Sequence, residues 1–343
     1  MTASSDAAPG GVTDQEWAAA VEAVGGLAAD DEVQLICHVS PDGDALGSML
    51  GFGLGLRRLG CTRLRATFPG EFELPEPYQG LPGADLLVPE AEAFSAPRIV
   101  LIFDVAAESR LGGLVRLLPA APAVVVLDHH ASNTRFGRVN LVDPRAAATS
   151  VVAEGLLGRL GVELDAEIAE CLYVALATDT GSFKFDMTTP GVHEMAARLL
   201  ATGIRPGEIS RRIFDTRPFG AVKLAGEVLG RAALDPTAAG GRGMVWTWAT
   251  LADLERYGQR PYVLDTLIDP VRSVAEADVA VVVKEIGPGE WAVSLRSKGA
   301  VDVSGVAVAL GGGGHRLAAG FTGHGTPGEV VVTVRELLNS HLL

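Results

Sequence analysis

Residues 34–48, with the sequence QLICHVSPDGDALGS, decide the fold of the first half of the chain. The stretch begins as an apolar, strand-like run and ends as the start of a helical pattern. Three polar residues, His38, Asp42 and Asp44, lie between the two. A strand followed at once by a helix is typical of α/β proteins, whose parallel strands present ligand-binding loops at their carboxyl ends. The stretch therefore predicts a parallel sheet with a polar site at this edge.

The same alternation continues outward from this stretch. We expect an α/β fold, in which a mainly parallel amino-terminal sheet is flanked by helices and a smaller α/β lobe follows. The predicted strands are 33–39, 63–68, 98–104, 124–128, 244–249, 277–286 and 291–297. The predicted helices include 45–59, 165–178 and 327–341. The predicted segments are a disordered tail at 1–14, a first domain at 15–192, a helical connector at 193–231 and a second domain at 232–343.

Composition indicates a globular protein. The chain has 343 residues, of which 48% are hydrophobic and 20% charged, which suits two domains with sizeable cores. No apolar run reaches the ~18–20 residues of a membrane helix. Residues 1–14 lack the features of a secretory signal, so we expect a cytoplasmic protein without membrane contact. Cys37, Cys61 and Cys171 form no CxxC pair, which argues against disulfides and thiolate zinc sites.

The charge balance narrows the choice of partners. There are 42 acidic against 28 basic residues, giving a net charge of −14. Binding to long duplex nucleic acid needs many lysines and arginines to neutralise phosphates, so this class of function is disfavoured. A small phosphorylated substrate remains compatible with an acidic chain, because bound cations reverse the local potential.

Polar clusters follow apolar runs in four separate places. They contain His38, Asp42, Asp44, Asp104, Asp128, His129, His130 and Asp179. Three clusters belong at the carboxyl edge of the sheet, and Asp179 continues the apolar face of the predicted helix 165–178 toward it. Several unpaired carboxylates repel one another, and divalent cations relieve that repulsion. Oxygen and nitrogen ligands without thiolate favour two Mn²⁺ or Mg²⁺ ions, with Zn²⁺ and Co²⁺ also open.

Each cluster also has an ordinary structural interpretation. Asp42-Gly43-Asp44 is typical of a turn that caps a helix. The other aspartates suit strand or helix ends, and paired histidines suit a solvated loop. That four such clusters should meet at one edge of the sheet by coincidence is improbable, so their common position favours the metal interpretation. The glycines in GFGLGL, at 51–56, lie inside a predicted helix with the wrong spacing for a dinucleotide-binding motif, so we attribute them to close helix packing.

These motifs resemble those of a known family. HVSPDGD, the strand-end Asp104, the triplet Asp128-His129-His130 and Asp179 resemble the four motifs of the DHH phosphoesterases. GGGGHRLAAG, preceded by SLRSKG, resembles the glycine-rich motif of the associated DHHA1 lobe. The layout and the stretch DHHASNTRFG are similar to the nano-RNases, which degrade very short RNAs and dephosphorylate 3′-phosphoadenosine 5′-phosphate.

The resemblance implies specific roles. It places one metal at His38, Asp42 and Asp104, and the other at Asp44, His129, Asp179 and the shared Asp104. It implies that catalysis uses Asp104 together with His130, which approaches the scissile phosphate, and Asp128, which supports the site. Ala106-Ala107-Glu108 departs from the family pattern, which leaves the roles of Glu108 and Arg110 open.

The second lobe carries the candidate substrate-binding residues. They are Arg296, Gly312, Gly313, Gly314 and His315. A glycine run by itself indicates a flexible turn, and Arg296 suits an exposed strand position. Glycines also let backbone N–H groups approach an anion, and arginine binds phosphate through two donors. The family resemblance favours these binding roles.

We therefore expect a Mn²⁺-dependent hydrolase that acts on short RNA, linear dinucleotides of the pApA type or a nucleoside bisphosphate. A cyclic-dinucleotide phosphodiesterase uses the same metal chemistry and remains the main alternative. A single-strand exonuclease is disfavoured by the acidic, aromatic-poor composition. A pyrophosphatase is disfavoured by the glycine-rich motif, and a silent nucleotide-binding regulator by the complete ligand set. The sequence does not determine the oligomeric state, and a homodimer is compatible with it.

Overall fold

The computed structural model describes residues 11–340 and divides into two compact units between Thr216 and Arg217. Most of the predicted tail at 1–14 and the last position of the predicted helix 327–341 lie outside the described residues. Thr13 caps the first helix, which starts at Asp14, inside the predicted tail. No helix within residues 11–340 combines the length and apolar character needed to cross a membrane.

The first unit contains a five-stranded sheet in which every neighbouring pair is parallel. Its strands are β1 (Glu32–Ile36), β2 (Arg63–Thr67), β3 (Ile99–Phe103), β4 (Ala123–Asp128) and β5 (Val139–Val142). Their order is β2-β1-β3-β4-β5. The predicted α/β class and the parallel sheet are confirmed, and β5 is a strand that the sequence pattern did not predict.

Helices cover both faces of this sheet. The α-helices are α1 (Asp14–Gly25), α2 (Gly43–Arg58), α3 (Leu117–Ala120), α4 (Thr149–Arg159), α5 (Ala166–Asp179), α6 (Pro190–Ala201) and α7 (Pro206–Phe214). The 3₁₀ helices are Glu76–Tyr78, Ala84–Leu86, Glu90–Glu92 and Glu108–Arg116. The sequence of β3 is continuously apolar because both of its faces are buried. Leu101 faces the core on the side of α2 and α5, whereas Ile102 faces the core formed with Leu111 and Leu117.

Helices α2 and α5 pack at close range through glycines. A Cβ atom at Gly47 would lie 2.4 Å from the carbonyl oxygen of Cys171, and one at Gly43 would lie 2.5 Å from the Thr178 side chain. Gly51 also faces Cys171. The glycine pattern of α2 therefore serves helix packing, and this close contact fixes the distance between the two helices that carry Asp44 and Asp179.

Replacing Gly47 by alanine is expected to destabilise the first unit by about 1–3 kcal/mol, because the new methyl group meets backbone that cannot rotate away. We also expect weaker binding of divalent cations, since α2 and α5 must separate. Urea unfolding and calorimetric metal titration measure the two effects. The matched control is Gly158→Ala on α4, where a Cβ meets nothing within 4 Å and alanine stabilises a helix interior by roughly 0.5–1 kcal/mol. Equal effects of the two changes would contradict the packing argument.

The second unit contains a mixed six-stranded sheet, as the prediction of a second α/β lobe requires. Its strands are β6 (Ala233–Asp235), β7 (Met244–Ala249), β8 (Val279–Gly287), β9 (Glu290–Ser297), β10 (Gly313–His315) and β11 (Ala318–His324), in the order β10-β11-β9-β8-β7-β6. Only the pair β7–β8 is parallel.

Helices cover this sheet as well. They are α8 (Phe219–Gly230), α9 (Ala238–Gly241), α10 (Leu251–Tyr257), α11 (Ile268–Arg272), α12 (Ser304–Ala309) and α13 (Pro327–Ser340), with a 3₁₀ helix at Pro261–Leu267. Most of the chain at 193–231 lies in helices α6, α7 and α8. Helices α6 and α7 belong to the first unit and α8 to the second, so the division falls inside this segment.

Candidate metal centre

The parallel sheet brings the predicted polar clusters to one edge. Strands β1, β3 and β4 are neighbours, and His38, Asp104 and Asp128 lie at or just beyond their carboxyl ends. Asp42 is the N-cap of α2, and Asp44 lies in its first turn. Asp179 is the last residue of α5 rather than the first residue after it.

One group of side chains surrounds His38. Its Nε2 atom lies 3.4 Å from Asp104 Oδ2 and 3.9 Å from Asp42 Oδ1. One ligand atom from each of these three residues lies within 4.8 Å of the others. This spacing suits a single cation held among them.

A second group surrounds His129. Its Nε2 atom lies 3.1 Å from Asp179 Oδ2, 3.8 Å from Asp44 Oδ2 and 3.6 Å from Asp104 Oδ1. The two oxygens of Asp104 therefore face different histidines, an arrangement that suits a carboxylate shared by two cations. The structure brings together all six side chains that the sequence singled out as metal ligands.

The donor set fits divalent cations in its burial and orientation. The Asp44 and Asp104 residues are 0% and 4% exposed, whereas the Asp42 side chain is 56% exposed. The Nδ1 atoms of the histidines lie against backbone carbonyl oxygens, His38 at 2.9 Å from Val39 and His129 at 3.2 Å from Ala146. An N–H donated there leaves each Nε2 lone pair directed into the cluster, the usual arrangement of metal-binding histidines.

The buried carboxylates of the cluster are stabilised by nearby positive charge. Burial raises the pKa of the Asp44 carboxyl well above its ordinary value, and the charge of Asp104 adds to the effect. Burial opposes protonation of His129, but its hydrogen bond with Asp179 raises the pKa of this imidazole overall. Burial likewise opposes ionisation of Asp104, yet the histidines, with His38 first, hold the pKa of this carboxyl below its ordinary value. Within residues 11–340, no lysine or arginine pairs with the four aspartates, and the side chains that lie against them are histidines.

The amino terminus of α4 holds Asp44 in place. Backbone N–H groups of Thr149 and Ser150 donate to its carboxylate at 2.6 and 3.2 Å, and the Ser48 hydroxyl donates at 2.9 Å. The Thr149 hydroxyl donates to Asp104 Oδ1 at 3.0 Å. These donors were not predicted, because nothing in the sequence AAATS indicates that this helix end approaches the cluster.

Asp104 adopts a left-handed backbone conformation, with φ of 60°. A non-glycine residue rarely holds this conformation, which costs about 1–3 kcal/mol. Its backbone N–H donates to the Leu127 carbonyl at 3.0 Å, which anchors the turn to β4. The strain turns the carboxylate back between His38 and His129.

Asp128 and His130 form a hydrogen-bonded pair beside Asp104, whose Oδ1 atom lies 3.5 Å from His130 Nδ1. The Asp128 carboxylate is fully buried and accepts from His130 Nδ1 at 2.7 Å and from the His129 backbone N–H at 2.8 Å. Asn133 donates to the other carboxylate oxygen at 2.5 Å and to the Val105 carbonyl at 3.0 Å. Because Asp128 fixes Nδ1, Nε2 is the nitrogen that His130 can offer to a ligand. No role was predicted for Asn133 from the sequence.

The two residues of uncertain role lie in different settings. Glu108 is exposed and begins the 3₁₀ helix Glu108–Arg116. The Arg110 guanidinium Nη2 lies 3.1 Å from His38 Nδ1. Of these two residues, Arg110 is therefore the one whose side chain contacts a predicted metal ligand.

The predicted substrate-binding residues of the second unit share one part of its sheet. Ala318 of β11 pairs with Arg296 of β9 on one side and with His315 of β10 on the other. Residues paired across strands point to the same face, so Arg296 and His315 project from the same face with one strand between them. The Arg296 guanidinium donates to the Leu295 carbonyl at 3.0 Å.

The three predicted glycines, Gly312, Gly313 and Gly314, differ in whether the structure leaves room for a side chain. A Cβ at Gly312 would lie 2.1 Å from the Gly320 carbonyl oxygen. Gly314 has φ of +138°, and a Cβ there would lie 2.5 Å from the Ala318 carbonyl oxygen. Both are required by the approach of β11. At Gly313 a Cβ would meet nothing within 4 Å, so this glycine leaves open space beside the strand.

Comparison with known proteins gives the chain a family. The model of the DHH family, N-terminal domain, matches residues 32–176, and that of the DHHA1 domain matches residues 250–340. A bifunctional oligoribonuclease and PAP phosphatase, NrnA, from Thermus thermophilus is 34% identical over 303 residues, which are 86% of this chain and 85% of that protein. NrnA of Bacillus subtilis is 26% identical over 295 residues, or 84% and 88% of the two chains.

Solved structures show the same fold. An exopolyphosphatase-related protein from Bacteroides fragilis superposes with a TM-score of 0.84 at 22% identity, covering 96% of this chain and 97% of that one. RecJ of Thermus thermophilus, in complex with Mn²⁺, superposes with a TM-score of 0.51 at 16% identity, covering 95% and 54%.

The relatives confirm the resemblance that the motifs indicated. Members of this family depend on divalent metals, which agrees with the cluster of carboxylates and imidazoles at the sheet edge. The chain belongs to the DHH/DHHA1 family of phosphoesterases, enzymes that hydrolyse phosphoester bonds.

Proposed function

We propose that this protein is a Mn²⁺-dependent, two-metal phosphoesterase that cleaves short oligoribonucleotides and linear dinucleotides to mononucleotides and dephosphorylates 3′-phosphoadenosine 5′-phosphate. The observation that carries the proposal is the position of Asp104, whose two carboxylate oxygens face His38 and His129 separately. The names of the NrnA relatives support the substrate class.

Six residues would hold the cations. His38 and Asp42 form one side of the site, Asp44, His129 and Asp179 form the other, and Asp104 belongs to both. A metal pair supplies an activated water and stabilises charge on the attacking and leaving oxygens of a phosphoryl group. Mn²⁺ suits this mixture of carboxylate and imidazole ligands.

His130 would act on the substrate rather than on a metal. Its Nδ1–H is held by Asp128 at 2.7 Å, so we assign the contact with a phosphate oxygen to Nε2. The hydrogen bond to the buried carboxylate raises the pKa of His130 although burial opposes this. A protonated His130 can donate to the phosphate and stabilise the charge that develops there. Asn133 keeps Asp128 in position for this role.

All the proposed substrates are hydrolysed by attack of water on a phosphorus atom. The enzyme must therefore select its substrates by contacts with the nucleotide. We assign recognition of the nucleotide end to Arg296, His315 and the glycines Gly312, Gly313 and Gly314. Arg296 and His315 project from one face of their sheet, and Gly313 leaves space for a ligand to approach the backbone. Arginine offers two parallel donors to a terminal phosphate.

The proposal is tested by metal reconstitution. Metal-free protein is loaded with Mn²⁺, Mg²⁺, Co²⁺ or Zn²⁺ and assayed by chromatography on pApA, short RNA, 3′-phosphoadenosine 5′-phosphate and cyclic di-AMP. We expect the fastest release of mononucleotides from pApA and short RNA, with Mn²⁺. Absence of release from these substrates with every metal would contradict the proposal, and faster cleavage of cyclic di-AMP would assign a cyclic-dinucleotide phosphodiesterase instead.

Arg296→Ala is expected to raise KM for pApA by about tenfold or more, because a charge-assisted contact is lost. Hydrolysis of a small aryl phosphodiester, which lacks a nucleotide end, should be unchanged. Steady-state kinetics on both substrates measure the difference. Arg335→Ala is the control, since Arg335 lies on α13 near Asp235. An equal loss on both substrates would contradict a role in nucleotide recognition.

A further inference from the structure

Thr149 contacts two carboxylates of the cluster at once. It is the first residue of α4 and is fully buried. Its backbone N–H donates to Asp44 Oδ2 at 2.6 Å, and its hydroxyl donates to Asp104 Oδ1 at 3.0 Å. One residue of α4 therefore connects an aspartate of α2 with the aspartate that follows β3.

Both oxygens that Thr149 contacts face His129. Asp44 Oδ2 lies 3.8 Å and Asp104 Oδ1 lies 3.6 Å from His129 Nε2. The other oxygen of Asp104 lies 3.4 Å from His38 Nε2. We call the ligands around these two histidines the His129 group, with Asp44, Asp104, His129 and Asp179, and the His38 group, with His38, Asp42 and Asp104. Thr149 thus donates to oxygens that face the centre of the His129 group.

The hydrogen bonds of Asp44 show which of its oxygens can bind a cation. Oδ1 accepts from the Ser48 hydroxyl at 2.9 Å and from the Ser150 backbone N–H at 3.2 Å. These two bonds use both lone pairs of Oδ1, whereas Oδ2 can accept from Thr149 and still offer a lone pair to a cation. The Thr149 N–H therefore sets the direction of that lone pair, and the Thr149 hydroxyl does the same for Asp104 Oδ1.

We propose that Thr149 is a positioning residue for the cation of the His129 group, and that its hydroxyl increases the affinity of this group for the cation. The inference rests on the proposed two-metal function. The hydroxyl donates to the oxygen of Asp104 that faces His129, not to the oxygen that faces His38. Loss of the hydroxyl should therefore weaken cation binding at the His129 group more than at the His38 group.

The test uses the full chain, with Mn²⁺ as the probe, in two backgrounds. His38→Gln disrupts the His38 group and leaves the His129 group complete, and His129→Gln does the reverse. Thr149→Val, which removes the hydroxyl but keeps the backbone N–H, is introduced into each background, and calorimetry measures the affinity for Mn²⁺. We expect about ten- to hundredfold weaker binding in the His38→Gln background. The loss in the His129→Gln background should be smaller.

Two further variants separate the hydroxyl from the fold. Thr149→Ser keeps the hydroxyl and should retain most of the affinity. Thr247→Val is the matched control, because Thr247 is also fully buried and its hydroxyl donates to the Val228 carbonyl within the second unit. Thermal unfolding without metal verifies that each variant folds. If Thr149→Val does not fold, Thr149→Ala and Thr149→Ser, which differ by the hydroxyl oxygen, supply the same comparison.

Three results would overturn the inference. Unchanged Mn²⁺ affinity of Thr149→Val in the His38→Gln background would show that the hydroxyl does not position the ligands. Equal losses in the two backgrounds would show that Thr149 supports the whole cluster rather than the His129 group. An equal loss in Thr149→Ser would assign the effect to the methyl group. If the native protein bound fewer than two Mn²⁺ ions, the proposed function would fall together with the inference, which separates that failure from the other three.

Discussion

Asp104→Asn is expected to lower hydrolysis of pApA by about a thousandfold or more while leaving the protein folded. Asp104 is the residue common to both groups of ligands, at 3.4 Å from His38 Nε2 and 3.6 Å from His129 Nε2. An amide has one oxygen and no charge, so it cannot serve two cations. Loss of a metal-based stabilisation of several kcal/mol corresponds to this factor in rate.

The measurement combines single-turnover kinetics with metal stoichiometry by mass spectrometry. The matched control is Asp85→Asn, which removes an equal charge from an exposed carboxylate paired with Arg57 in the same unit. That variant should keep native activity and metal content. Near-native activity in Asp104→Asn, or retention of both metals, would show that Asp104 is not shared between two cations.

Mn²⁺ is expected to raise the melting temperature of the metal-free protein, and the gain should increase with pH. Metal at a hundred times Kd stabilises by about 2.7 kcal/mol per site, or roughly 5–10 °C for a unit of this size. The buried carboxylates gain a counter-ion in place of the protons that the histidines otherwise carry.

The pH dependence of this gain in melting temperature follows from the groups whose pKa values are shifted in the folded protein. The pKa of His129 is raised well above 6.5 and that of His38 is also raised. A histidine whose pKa is raised by folding stabilises the folded metal-free protein fully at pH values below its pKa in the unfolded state. This contribution is lost as the pH rises through its pKa in the folded state. The raised pKa of Asp44 acts in the same direction. Cations require deprotonated ligands, so their binding strengthens over that range.

Calorimetric scans with and without Mn²⁺, at pH values from about 6 to 9, measure this linkage. His129→Asn should remove most of the pH-dependent gain. His193→Asn is the control, because His193 stacks on Phe183 and is not among the proposed ligands. A gain that shrinks as pH rises would contradict the assignment of these histidines as ligands.

The sequence predicted those parts of the fold that depend on local pattern. Strands β1, β3 and β4 are buried on both faces, so their apolar runs were recognisable. His38, Asp104 and His129 follow these three strands closely, and the order of parallel strands brings them together. The two interpretations considered for Asp42 are compatible, since it caps α2 and also lies close to His38 and Asp104.

The missed features depend on tertiary contacts. β5 is a four-residue edge strand interrupted by Asn140, with too few residues to show a pattern. β10 contains Gly313, which belongs to the glycine run that suggested a turn, but pairing with β11 determines its conformation. The donors from Thr149 and the backbone strain at Asp104 arise only when α4 and β4 approach the cluster.

The most direct test is an anomalous-diffraction map of crystals grown with Mn²⁺. Our account requires two peaks about 3.5–4 Å apart, one beside His38 and Asp42, the other beside Asp44, His129 and Asp179, with an oxygen of Asp104 next to each. A single peak, or peaks away from these six side chains, would contradict it.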